Sequence, residues 1–162
     1  GGTDKAVRRW NPDTGDPIGE PLTSGDLGSV VQVGFSPLSK WIVATSDSRR
    51  LQLFYAKDGA TLIPALDSTY GIEAFAFSPD GKYFAGSFES SGLVRVWDWD
   101  NWKEAPVSLS GHQGGITSLA FSPDSKLLAV GTGLNTVRLW APATGKLVRD
   151  IPASATPSAS PS

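Results

Sequence analysis

Cysteine and methionine are absent from the 162 residues, and histidine occurs once, at His112. Without cysteine there can be no disulfide, no thiolate metal site and no cysteine nucleophile. One histidine excludes a multi-histidine metal site. No apolar run approaches the roughly 20 residues that cross a bilayer as a helix. No signal-peptide pattern opens the chain, so the expected compartment is the cytoplasm. Neither sign of charge dominates: 14 basic residues stand against 16 acidic ones, for a net charge of −2. With no basic excess, neither nucleic acid nor an anionic membrane is an expected partner. The opening Gly1-Gly2-Thr3-Asp4 lacks an initiator methionine and reads as the start of a piece of something longer.

What is present is a repeat. Phe-Ser-Pro occurs at Phe35-Ser36-Pro37, Phe77-Ser78-Pro79 and Phe121-Ser122-Pro123, at spacings of 42 and 44 residues. An aromatic closes a strand-like run at Trp10, Phe54, Trp97 and Trp140, at spacings of 44, 43 and 43. Two independent markers that keep one period of this length indicate a repeat architecture.

Each full unit reads as four short strands. In the last unit these are Ile116–Phe121, Leu127–Gly131, Thr136–Trp140 and Lys146–Ile151. Val137 and Leu139 alternate with Thr136, Arg138 and Trp140, as neighbours do on opposite faces of a sheet. The turn between the first two strands has its clearest form in Ser78-Pro79-Asp80-Gly81-Lys82. Proline presets φ for the first turn position, and glycine accepts a positive φ at its end. Gly15, Gly59 and Gly145 each follow the aromatic by five residues, which predicts a fixed hairpin with a left-handed residue. The third unit departs, with Asn101-Trp102 at that place. No stretch of ten residues has helical periodicity. The expected class is all-β, and four strands per period of about 40–45 residues indicate propeller blades.

Leu93-Val94-Arg95-Val96-Trp97-Asp98, then Gly111-His112, then Thr136-Val137-Arg138-Leu139-Trp140 together resemble the WD-repeat family, over residues 3–151. The resemblance implies a β-propeller and a role in holding other proteins. It also implies a polar lock in each blade, built from histidine, a hydroxyl, aspartate and tryptophan. His112 and Trp140 match that lock in the last unit, with Gly111 before the histidine. Val130 and Leu134 take the hydroxyl and aspartate places there. Asp4 and Trp10 match in the first unit, Phe54 replaces the tryptophan in the second, and Ser91 lies near the aspartate place of the third. The hydrophobic core is therefore expected to be the main stabiliser.

The expected organisation is a partial blade over residues 1–22, holding a third and a fourth strand. Blades follow over 23–66, 67–110 and 111–151, about three and a half in all, short of a closed ring. Residues 152–162 contain only Pro, Ser, Ala and Thr and predict a disordered tail. Two copies would not close a ring, because both half-blades would lack the same inner strands. A missing part of its own propeller and other proteins are thus the expected partners. An isolated arc is also expected to self-associate through its open apolar faces.

No catalytic set can be nominated. His112 would need a positioned partner to act as a base and is expected instead to make a structural hydrogen bond to its blade, the carboxylates fall mostly at turns, and Asp98-Trp99-Asp100-Asn101 lacks the calcium-loop pattern. Gly111-His112-Gln113-Gly114-Gly115 lacks the Lys-Ser/Thr of a phosphate loop. No cofactor is expected. Arg49, Arg50, Tyr70 and Phe88 fall in loops that, by resemblance, face partners, and Trp102 is a candidate aromatic anchor. The expected function is a non-catalytic interaction scaffold. The alternatives are the sensor or regulatory propeller of a multidomain signalling protein of kinase or nucleotide-switch type, and a propeller enzyme, which would need an inward acid cluster.

Overall fold

The computed structural model describes residues 2–23, 27–48, 50–61, 66–67, 72–88, 92–99 and 106–152, with the backbone alone at 66, 67 and 73. Among these residues every regular element is a β-strand. The chain forms two compact units, Gly1–Ile72 and Glu73–Ser162.

Unit 1 contains two antiparallel sheets. β1 (Ala6–Val7) pairs with β2 (Leu22–Thr23). β3 (Val30–Phe35), β4 (Trp41–Ser46), β5 (Arg50–Tyr55) and β6 (Leu66–Asp67) form a four-stranded meander in chain order. The small sheet copies the outer half of the large one: Val7 faces Leu22 as Leu51 faces Leu66. The isolated bridge Trp10–Pro17 likewise copies Phe54–Thr61. Each pair lies 44 residues from its counterpart.

Unit 2 holds two further meanders. The first is β7 (Ile72–Phe77, whose first residue closes unit 1), β8 (Tyr83–Phe88), β9 (Leu93–Asp98) and β10 (Val107–Leu109). The second is β11 (Ile116–Phe121), β12 (Leu128–Thr132), β13 (Thr136–Ala141) and β14 (Lys146–Pro152). Four antiparallel sheets of two and four strands make the fold a partial WD-type β-propeller.

The Ser-Pro turns form because the serine does the work of a strand residue. Ser78 exchanges backbone hydrogen bonds with the end of the hairpin, and its hydroxyl accepts from the Tyr83 amide at 2.8 Å. The same hydroxyl donates to Asp80 at 2.5 Å, and the Lys82 amide donates to that carboxylate at 3.0 Å. Ser122, Asp124, Lys126 and Leu127 repeat the pattern. Ser36 repeats it without an aspartate, its hydroxyl accepting from the Trp41 amide at 3.1 Å. The fourth turn position is left-handed in all three, with φ of 50° at Ser39, 75° at Gly81 and 60° at Ser125.

Each unit buries one apolar layer between its sheets. In unit 1, Val7 and Leu22 of the small sheet pack on Ile42, Ala44 and Phe54. In unit 2, Val94, Val96 and Leu109 pack on Leu128, Val130 and Trp140. Full burial of such aliphatic and aromatic side chains contributes roughly 1.5–3 kcal/mol each. Between the sheets of unit 2, the Asp80 amide also donates to the Ser125 hydroxyl at 3.1 Å.

Candidate functional site

An open apolar surface lies in unit 1. A groove of about 780 Å3 runs between the β1–β2 sheet and the β3–β4 hairpin. Trp10, Ile18, Val33, Phe35, Trp41 and Tyr55 supply its aromatic and aliphatic lining. Trp10 is 57% exposed and Phe35 60% exposed. Their repeat counterparts are covered: Phe54 is 0% and Trp140 6% exposed, and Phe121 packs against the core of unit 2. The difference is topological. In the large sheets the aromatic at the end of the third strand faces a second strand, through the pairs Ile42–Phe54, Phe84–Trp97 and Leu128–Trp140. β1 pairs only with β2 among the described residues, so Trp10 has no such cover.

The rim of the groove is cationic. Arg8, Arg9, Lys40 and Lys57 line it, with no carboxylate among the lining residues. Arg9 reaches across to the next hairpin, donating to the carbonyls of Ala56 at 2.6 Å and Lys57 at 3.3 Å, while its buried Nε has no hydrogen-bond partner. Arg8 pairs with Asp4 at 2.5 Å; that hydrogen bond lowers the Asp4 carboxyl below its ordinary value and raises the guanidinium.

The Gly-His place of unit 2 is a structural node. His112 Nδ1 lies 2.8 Å from the carbonyl oxygen of Gly92, and the Trp140 indole N–H donates to His112 Nε2 at 3.1 Å. A carbonyl on one nitrogen and a donor on the other fix the neutral ring protonated at Nδ1. Burial is the main cause that holds the His112 pKa below 6.5, and the Arg138 charge adds to it. Arg138 donates to the Gly111 carbonyl and, through two nitrogens at 3.0 and 3.1 Å, to one oxygen of Asp150 on β14. Val130 is fully buried and Leu134 is exposed. In the third repeat Ser87 provides a buried hydroxyl, which accepts from the Ala74 amide at 3.0 Å.

The remaining expected positions are dispersed. Trp97 packs its ring 5.7 Å from Phe84 and 6.1 Å from Phe88. Asp98 faces Lys82 at 3.9 Å. Arg50 is half-buried, and its amide is 3.4 Å from the Ser46 hydroxyl. Phe88, expected to face partners, is instead buried with the Arg95 guanidinium 4.9 Å above its ring, so Arg95 is the group that meets solvent. Arg49, Tyr70, Ser91, Trp102 and residues 153–162 lie outside the described residues. Among the described residues no three His, Asp or Glu side chains gather as a metal site, and no helix is long and apolar enough to cross a membrane.

Sequence reasoning did not single out the groove. Val33 and Phe35 sit at places that Leu119 and Phe121 fill in the last unit, half-buried against its core, and nothing in the repeat pattern separates the two pairs. Ser39 and Arg9 carried no signal at all.

Comparison with known proteins agrees with the architecture. The family model described as "WD domain, G-beta repeat" matches residues 62–98 and 104–141. Actin-interacting protein 1 of Drosophila melanogaster is 31% identical over 144 residues, which are 86% of this chain and 23% of that protein. Echinoderm microtubule-associated protein-like 2 of Homo sapiens is 29% identical over 91% of this chain and 22% of its own length. WD repeat and SOCS box-containing protein 1 of Homo sapiens is 32% identical over 56% of this chain and 22% of its own length. The chain thus spans less than a quarter of each of these three relatives. Such repeats generally form non-catalytic surfaces that bind other proteins. Repeat period, blade topology, matched motifs and relatives agree, and the chain belongs to the WD-repeat family.

Proposed function

We propose that this chain is a non-catalytic protein–protein interaction scaffold, a portion of a longer propeller, and that its unit 1 groove is the face through which it binds polypeptide. The observation that supports the reading is the exposure of Trp10 and Phe35 at places where the other repeats bury or half-bury their equivalents. Aromatic and aliphatic side chains on a rigid sheet, ringed by arginine and lysine, have the composition of a protein-binding patch. Removing one large aromatic from water is worth on the order of 2 kcal/mol, so two such rings give a partner a strong anchor. No titratable pair in the groove is arranged for proton transfer, and binding is the chemistry that this lining offers.

A photo-crosslinking amino acid at position 35, with a second at the exposed turn residue Asp58 as control, tests the reading in cells that express the chain. Covalent adducts to other polypeptides at position 35 and not at position 58 are expected. Adducts at neither position, or equally at both, would contradict it.

A further inference from the structure

We infer that Asp58 is a self-modifying site: it isomerises to isoaspartate through a succinimide, and the α-carboxylate so created accepts a methyl group from a carboxyl methyltransferase that uses S-adenosylmethionine.

The chemistry is least hindered at Asp-Gly, because the attacking amide belongs to a residue without Cβ. The chain has two such pairs, Asp58-Gly59 and Asp80-Gly81, and no Asn-Gly. Both aspartates are exposed, so water reaches either one. Both glycines are left-handed, with φ of 78° and 75°. Their amides are held alike, Gly59 donating to the Tyr55 carbonyl and Gly81 to the Ser78 carbonyl, each at 2.8 Å. The carboxyl groups are held differently. Asp80 accepts from the Ser78 hydroxyl at 2.5 Å and from the Lys82 amide at 3.0 Å, and its own amide is fixed on buried Ser125. These bonds keep the side chain in one rotamer. Among the described residues, Asp58 accepts only from the Ala60 amide, at 3.0 Å and in water. A single exposed bond leaves its Cγ free to swing onto Gly59 N.

The turn itself has no need of this aspartate. Thr14 and Thr144 hold its place before Gly15 and Gly145. All three glycines donate to the carbonyl four residues back, at Asn11, Tyr55 and Ala141.

In the reaction, Gly59 N attacks Cγ of the protonated Asp58 carboxyl. The N–Cγ bond forms, and the amide proton and carboxyl hydroxyl leave together as one water. A second water then opens the ring. Opening at the α-carbonyl breaks the original peptide C–N bond and leaves the main chain running through Cβ and Cγ, with a free α-carboxylate. Composition and charge are unchanged. Methylation moves the sulfonium methyl onto an oxygen of that carboxylate and leaves S-adenosylhomocysteine. The added main-chain methylene falls at a close contact: a Cβ on Gly59 would lie 2.2 Å from Leu22 Cδ2. Arg9 holds the Ala56 and Lys57 carbonyls just before it. Isomerisation therefore loosens the β1–β2 sheet from the hairpin that follows β5.

The test ages the folded 162-residue protein for weeks at neutral pH and physiological temperature. Isoaspartate is located by peptide mapping and counted by labelled methyl transfer from S-adenosylmethionine with a purified isoaspartyl methyltransferase. Isoaspartate at 58 should exceed that at 80 about tenfold, the factor set by one further hydrogen bond to a charged group. In guanidinium chloride, where neither turn exists, the two sites should react alike. Asp58→Thr, shown to be folded by circular dichroism, should lose most of the label. Aged wild-type protein should unfold at lower urea than the aged variant. Equal isoaspartate at both sites of the folded protein, an excess at 58 that persists in denaturant, or label undiminished in Asp58→Thr overturns the proposal. Equal urea midpoints overturn its effect on the small sheet.

Discussion

His112 is held by two hydrogen bonds that its protonated form cannot keep together. Its Nε2 accepts from Trp140, so a proton added there removes an acceptor and places a charge in a buried site. Its folded pKa is accordingly depressed below the unfolded value of 6.5. The sign follows from linkage: between those two values the unfolded chain binds more protons, so stability rises with pH there. The contribution is complete above about pH 6.5 and is lost as acid titrates the ring in the folded state. Urea unfolding across pH 5–8 is expected to show this loss, and His112→Gln should flatten the profile while costing about 1–3 kcal/mol at pH 7.5. A second residue-scale prediction concerns Ser39, a left-handed non-glycine residue on the surface, with φ of 50°. Relief of that strain in Ser39→Gly is partly offset by the entropy of the unfolded glycine, so stability should rise by up to about 1 kcal/mol. A decrease in the urea midpoint would contradict this.

At the scale of elements, the hairpin between third and fourth strands is repeated with different surroundings, which separates backbone from packing effects. Gly145 has φ of 67°, and a Cβ there would lie 2.6 Å from Val107 Cγ1. Gly15 has φ of 74° with nothing within 4 Å of a Cβ. Gly15→Ala is expected to cost about 1–2 kcal/mol from conformation alone. Gly145→Ala adds roughly 1–3 kcal/mol of overpacking against a stiff β-branched side chain. Equal costs in thermal unfolding would show that the sheets of unit 2 yield at this contact. These hairpins also show what was legible in the sequence. The strands of the last repeat follow from alternation and the Ser-Pro turn, and Ile116–Phe121 has the bounds expected. The left-handed glycines follow from their fixed distance to the aromatic. Side-chain contacts across strands and between sheets carried no such signal. Arg138 grips Gly111 and Asp150 because β13 and β14 pair in a register that sequence alone does not reveal, and Arg9 reaches Ala56 across 47 residues. Phe88 was legible as an aromatic near a loop, but its burial under Arg95 depends on the β8–β9 register, which sets Arg95 diagonally across from it.

At the scale of the whole molecule, the same residue type at the same repeat position meets two fates. Phe54 and Trp140 are interior, whereas Trp10 faces solvent. The sequence marks all of them alike, and only the count of described strands beside each one separates core from exposed surface. Val31, Val33, Phe35 and Leu38 extend the exposed apolar area along β3 and its turn. Surfaces of this kind associate unless covered. Sedimentation velocity of the 162-residue chain over a concentration series, beside the double variant Trp10→Ser/Phe35→Ser, tests this most directly. The account predicts that the wild-type chain associates increasingly with concentration and that the variant remains a folded monomer. A wild-type chain that sediments as a concentration-independent monomer and unfolds cooperatively would contradict it.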